Sequence, residues 1–223
     1  MTECSQNLFN AASESYGYRL SYHRTFFEEL SKKLNLNRES KILDICCGHG
    51  QLSMGLADKI KKSVAIDNSS GMLSGAPQHP SVVYVNHDIN SPPPLPPSLT
   101  NEKFDHFLIG RAIHWIKTDS LEHAIAKNLN NRGRIVICGA EWSSNTVWFR
   151  NFERARSSYR NGRHANFSDR DYLGVSKLAQ IGFSVIDTLD IRYQVNCNLD
   201  FLLNHAMSYS SSAKEIESDL DNF

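Results

Sequence analysis

Three aspartates stand at or just past the ends of short apolar runs: Asp44 in Lys41-Ile-Leu-Asp-Ile-Cys46, Asp67 closing Ser63-Val-Ala-Ile-Asp67, and Asp88 after Val82-Val-Tyr-Val85. The first run leads into Cys46-Cys47-Gly48-His49-Gly50, where two glycines two apart permit a tight turn. Without Cβ atoms in the way, backbone N–H groups and a helix N-terminus can approach a ligand closely. Phosphate is the first ligand to weigh. A Walker loop needs Gly-Lys-Ser/Thr, which is missing, and a dinucleotide fingerprint needs glycine at position 53, where Ser53 stands. Asp44 would repel a pyrophosphate but can hold an ammonium group. Asp67, about twenty residues on, sits where a carboxylate can accept both hydroxyls of a ribose, and Asp88 can accept from an exocyclic adenine amine. Taken singly, each acid reads equally well as a ligand contact or as a cap or acceptor of backbone donors. As a trio around one turn, they predict a crevice for an amino acid, a ribose and an adenine with no phosphate, which describes S-adenosylmethionine.

Such a trio needs a parallel sheet, because ligands bind at the carboxyl ends of its strands. The chain alternates accordingly. Strands are predicted at 41–46, 63–67, 82–85, 104–109 and 134–138, the last introduced by an Asn131-Arg132-Gly133 turn. Helices are predicted at 51–59, from Asn68 to Leu73, and at 119–129. Near-continuous apolar strands separated by helices argue for a Rossmann-like, doubly wound α/β fold, mostly parallel, with helices on both faces. Before it, Leu20, Phe26, Phe27, Leu30 and Leu34 form a helical stripe. Five of the seven prolines fall between Pro92 and Pro97 and predict a stiff surface connection. Beyond Ala140, helices are expected at 145–160, 169–180 and 200–207, with a β-like stretch at 183–195.

Composition narrows the partners. Of 223 residues, 24 are Lys or Arg and 24 Asp or Glu, so the formal net charge is zero and no global field draws in a polyanion. There is no apolar run of 18 residues and no signal-peptide pattern at Met1-Thr-Glu-Cys4. Five cysteines, two of them the adjacent Cys46 and Cys47, form neither a disulfide framework nor a zinc motif. The expectation is a cytoplasmic protein, monomeric or homodimeric, with no metal, no membrane and nucleic acid disfavoured.

The segments Leu43–Gly50, Ala65-Ile-Asp-Asn-Ser-Ser-Gly-Met-Leu73, His87-Asp88, Phe104–Ile109 and Leu129–Cys138, in that order across roughly residues 40 to 140, resemble the class I S-adenosylmethionine-dependent methyltransferases. Cys46 stands where that family usually has its first glycine, and Cys46-Cys47-Gly48 resembles a variant of quinone-biosynthesis methyltransferases. The resemblance implies a cofactor, S-adenosylmethionine (leaving as S-adenosylhomocysteine), held by Tyr16, Arg19, Asp44, Cys46, Gly48, Gly50, Asp67, Asn68, Met72, Asp88, Ile89 and Arg111. Ala112-Ile-His114-Trp115 is similar to a stretch of trans-aconitate-type methyltransferases, which makes His114 a candidate general base and Trp115 a wall of the acceptor pocket. Packing alone is the competing role for both. Tyr16-Gly-Tyr18-Arg19-Leu-Ser-Tyr22 resembles the N-terminal helix that such enzymes lay over the cofactor, making Tyr22 a candidate acceptor contact. An arginine series, Arg150, Arg154, Arg156, Arg160 and Arg163, suits an acidic acceptor or a solvated face, and Met207-Ser-Tyr209-Ser resembles a late turn of the same group. Arg150 and Tyr209 therefore join the candidate acceptor contacts.

A single domain over 1–223 is expected, with a helical lid (1–40), a cofactor core (41–140) and acceptor-side elements (141–223). The polar stretch 211–223 lacks the alternation of the family's final antiparallel strand. Either 186–195 completes a shorter sheet or the form is truncated. Methylation of a small molecule on a carboxylate or hydroxyl oxygen is the favoured activity. Carbon methylation of a quinone- or polyketide-like ring, RNA methylation, and a non-methylating adenosyl-binding role are the competitors.

Overall fold

Four of the five residues of the first strand are enclosed, as a run with no polar alternation requires of a strand covered on both faces. The computed structural model describes residues 16–142, 146–158 and 174–208. Its strands are β1 (Lys41–Ile45), β2 (Lys62–Asp67), β3 (Val82–Asn86), β4 (Phe104–Gly110) and β5 (Leu129–Cys138). All pairings are parallel, in the order β3-β2-β1-β4-β5. The helices are α1 (Arg24–Leu34), α2 (Gln51–Leu56), α3 (Ser70–Ser74), α4 (Thr118–Asn128), α5 (Val147–Ser158), α6 (Val175–Gln180) and α7 (Leu199–Met207). This is the expected Rossmann-like α/β fold, all-parallel among the described residues. The order reverses at β1, so right-handed crossovers carry α2 and α3 to one face and α4 to the other.

Two compact units divide the chain. The first takes Tyr22–Gly139 and Asp171–Tyr193. Its core joins Leu43 and Ile45 of β1, Val64 and Ile66 of β2, and Phe104, Phe107 and Ile109 of β4 to Leu121 and Ala124 of α4. His23 caps α1 by accepting from the Thr25 amide, and Asn35 closes it in the left-handed region at φ 53°. Ser69 caps α3 by accepting from the Met72 amide at 3.2 Å.

The second unit takes Thr2–Ser21, Ala140–Arg170 and Gln194–Phe223. Its described part is aromatic. Trp142 meets Trp148 edge-on at 5.3 Å, and Phe201 stacks on His205 at 6.0 Å. The Trp142 indole N–H donates to His205 Nε2 at 3.0 Å. An indole nitrogen can only donate, so Nε2 is the acceptor and Nδ1–H donates to the Tyr18 carbonyl at 2.8 Å. Burial holds His205 near a pKa of about 4, a neutral imidazole.

Several local expectations change. Strand β5 starts at Leu129, and the expected Asn131–Gly133 turn is instead a register shift within the strand, between the pairs Phe104–Leu129 and His106–Arg134. The proline segment is not purely superficial, since Leu95 and Leu99 reach the core from it. Residues 183–195 form no strand: Val185 and Ile186 are 58% and 70% exposed, and no ladder captures their alternation. They do not complete the sheet. Helix α6 is described from Val175 only, and residues 169–173 lie outside the described set. Tyr16, Arg19 and Tyr22 share no helix. A 3-10 turn spans Tyr16–Tyr18, the following residues are irregular, and the helix begins only after the His23 cap.

Candidate functional site

The reversal of strand order opens a crevice at the carboxyl ends of β1 and β4. From β1 the chain turns through Cys46, Gly48 and Gly50, at φ 56°, 55° and 73°. Left-handed backbone at alternate residues is free for glycine but costs a side-chain-bearing residue about 1–2 kcal/mol. Position 46 is therefore a natural glycine position that here carries a thiol. Gly50 also has no room for a Cβ, which would lie 2.3 Å from the Tyr84 hydroxyl.

Asp67 fixes this turn. Its Oδ2 accepts from the Gly48 amide at 2.8 Å and its Oδ1 from the Ser69 amide at 2.9 Å. Burial pushes its carboxyl up, and the bonds from Ser69 and Gly48 counter that. Asp44 faces inward, 1% exposed, accepting from Ser53 Oγ at 2.7 Å and the Ser53 amide at 3.1 Å. Ser53 Oγ in turn meets Ser63 Oγ at 2.8 Å. Asp44, expected to hold a ligand, gives its Oδ2 to the first-turn serine of α2, which begins close over β1. Burial raises Asp44 to about 7, with a smaller push from Asp67. Asp88 Oδ1 accepts from the Asn90 amide at 2.9 Å.

The three acids do converge. Burial first, and then the charges of Asp67, Asp88 and Asp44, push the Cys46 thiol well up. Cys47 is raised likewise by burial, Asp44 and Asp67. Neither thiol supplies a nucleophile near neutral pH. The acid-lined turn favours a cation and opposes phosphate. Asn68 is half-buried, and Met72 and Ile89 are each 2% exposed.

Across the crevice, Arg111 follows β4 in the left-handed region at φ 55°. Its amide donates to the Cys138 carbonyl at 2.8 Å, its Nη2 to Gln51 Oε1 at 3.1 Å, and its guanidinium lies 5.2 Å from the Tyr22 ring centre. Tyr22 is buried, stacks on Phe26 at 5.1 Å and donates to the Cys138 carbonyl at 3.4 Å. The next turn carries His114, which is exposed, and Trp115, which packs partly on the core. Their rings lie 5.0 Å apart.

Tyr16, Arg19 and Arg150 belong to the second unit. Arg19 donates through Nη2 at 2.9 Å and Nε at 3.2 Å to the Ser208 carbonyl, 5.6 Å above the Tyr16 ring. Arg150 and Arg154 are exposed on α5, whereas Arg156 is buried and bonds Glu153 at 2.9 and 2.6 Å. The arginine series is therefore not one face. Tyr209, Tyr159, Arg160 and Arg163 lie outside the described residues.

Residues 42–133, which carry this turn and the crossovers around it, match the methyltransferase-domain family. That stretch is similar to methyltransferase domains over somewhat less than half of the chain. An uncharacterised methyltransferase of Schizosaccharomyces pombe is 28% identical over 136 residues, 58% of this chain and 51% of that one. The chain thus spans about half the length of that curated relative. A protein of Anaeromyxobacter dehalogenans assigned as a type II methyltransferase shares the fold at a TM-score of 0.58 and 18% identity, over 90% of this chain and 82% of that one. The YcgJ protein of Bacillus subtilis does so at 0.52 and 15%, over 90% and 85%.

Around this crevice, the sequence pattern did not reveal the residues that hold the site residues in place. Gln51 orients Arg111, Ser53 binds Asp44, and Ser69 binds Asp67. Asn90 and Lys177 bind backbone of the His114 turn. Small polar side chains carry no spacing signature. The helix expected from Asn68 is capped one residue later, by Ser69. No group of three or more metal-ligating side chains occurs among the described residues, and no described helix is long and apolar enough to cross a membrane.

Proposed function

We propose that the chain binds S-adenosylmethionine in the crevice above β1, β2 and β4 and transfers its methyl group to an oxygen of a small-molecule carboxylate or hydroxyl. The observation that carries this reading is the convergence of Asp44, Asp67 and Asp88 on the Cys46–Gly50 turn, opposite Arg111. That donor set suits a cationic amino-acid nucleoside. The Gly48 amide, which a phosphate would need, is already given to Asp67.

Asp67 has both oxygens oriented by amides, yet each keeps a second lone pair for a ribose hydroxyl. Asp88 accepts from the adenine amine, and Arg111 pairs with the amino-acid carboxylate. Asp44, raised by burial to about 7, holds the start of α2 against β1 through Ser53. When bound, the cofactor supplies an electrophilic methyl on a cationic sulfur. For a hydroxyl acceptor His114 would take the proton that the oxygen gives up; a carboxylate acceptor carries no proton and would need no base. Trp115 walls the acceptor side, and positioning supplies much of the acceleration. The same reading makes the chain cytoplasmic, monomeric or homodimeric, with a small-molecule partner.

Calorimetry with S-adenosylmethionine and S-adenosylhomocysteine tests the site. Both are expected to bind, and Asp67→Ala to weaken both at least about tenfold, roughly 1.4 kcal/mol. Equal binding by that variant removes the ribose assignment. With a panel of small carboxylic acids, phenols and quinone-like rings, the identified product separates oxygen from carbon methylation. Unchanged turnover in His114→Ala removes the base.

A further inference from the structure

The loop after β3 and the turn after β4 come from different crossovers, yet one buried side chain joins them. Asn90 is 8% exposed. Its amide donates to Asp88 Oδ1 at 2.9 Å, its Nδ2 to the Trp115 carbonyl at 2.9 Å, and its Oδ1 accepts from the Lys117 amide at 2.7 Å. Both ends of the carboxamide are used, so it grips the backbone on either side of Ile116. A second side chain, Lys177, donates through Nζ to the carbonyls of Ile113 at 2.9 Å and Ile116 at 2.6 Å. The His114–Trp115 turn is held by these two clamps. The Asn90 clamp continues to Asp88, an acid of the crevice.

We propose that Asn90 is a positioning residue that couples the Asp88 side of the crevice to the His114–Trp115 turn, so that a ligand taken by Asp88 sets the geometry offered to the methyl acceptor. This rests on the function proposed above. Asp88 shares one oxygen between the Asn90 amide and the crevice, so a donor arriving at that carboxylate reorients the Asn90 backbone. The rigid carboxamide passes the change to Trp115 and Lys117. Lys177 holds the same turn through the Ile113 and Ile116 carbonyls. Buried amide bonds with both partners satisfied transmit geometry well, since breaking either leaves a polar group unpaired.

Amide hydrogen exchange at residues 113–117, measured with and without S-adenosylhomocysteine, tests the coupling. In the wild type the ligand is expected to slow exchange at Trp115 and Lys117 roughly tenfold, a usual size for coupling between sites. In Asn90→Ala the slowing is expected to vanish while the ligand still binds within about threefold. Lys177→Met should loosen the turn in both states and leave the ligand response intact. A full response in Asn90→Ala, or no response in a wild type that binds the ligand, overturns the proposal and leaves the function standing. A wild type that does not bind the ligand overturns the function, and this inference with it. Should Asn90→Ala not fold, Asn90→Asp keeps the acceptor for Lys117 and removes the donor for Trp115. Loss of the Trp115 response supports the coupling, and an undiminished one overturns it.

Discussion

Cys46 shows how one residue can be legible in type and illegible in conformation. It sits at φ 56° because the turn out of β1 demands a left-handed residue there. Replacing it with glycine removes about 1–2 kcal/mol of backbone strain but gives up the thiol's packing and adds unfolded-chain freedom, so urea unfolding is expected to show a change below about 1 kcal/mol. A β-branched side chain has no such escape. Cys46→Val is expected to cost about 2 kcal/mol or more, measured the same way. Asp44 makes a pH prediction. Its folded carboxyl titrates at about 7, above the ordinary 3.8. Its contribution to stability is therefore complete below pH 3.8 and lost as pH rises through 7, by as much as about 4 kcal/mol. Asp44→Asn should flatten that part of the stability-against-pH curve, and an unchanged slope would show that the carboxyl is ionised throughout.

Elements were more legible than the contacts between them. The five strands and the helices at 51–56 and 118–128 follow from apolar runs and periodicity, because burial on both faces leaves such runs no other use. The strand at Leu129 was hidden behind Asn130-Asn131-Arg132-Gly133, which reads as a turn yet is accommodated as an irregularity within the β4–β5 ladder. The stretch 183–195 alternates like a strand but has no pairing, and pairing is a non-local fact that a local pattern cannot contain. Of the candidate site, the three acids and the glycine turn were legible. The inward turn of Asp44 was not, because it depends on how closely α2 approaches β1. Helix α2 gives the test at this scale. Gly55 lies in its interior, where alanine would raise helix propensity by about 1 kcal/mol, but a Cβ there would lie 2.2 Å from the Phe27 ring. Gly55→Ala is expected to lower the melting temperature despite the propensity gain, by about 1–3 kcal/mol of overpacking. A stabilised variant would mean that the ring swings aside.

Across the whole molecule, the two units carry opposite responses to acid. His205 is neutral in the second unit, its pKa lowered to about 4 by burial. Its contribution is complete above the ordinary 6.5 and is lost as pH falls through 4. Between pH 4 and 7, hydrogen exchange is therefore expected to show β1 gaining protection and α7 losing it as the solution is acidified. Parallel trends would remove one of the two assignments. The segments of the two units also interleave along the polymer. Tyr18, Trp142 and His205, joined by hydrogen bonds, come from three stretches, the last of them in α7. A ribosome releases the full β1–β5 ladder once Cys138 has emerged, whereas this triad must wait for His205. Translation thus finishes one nucleus early and leaves the Tyr18 carbonyl to water until α7 has emerged.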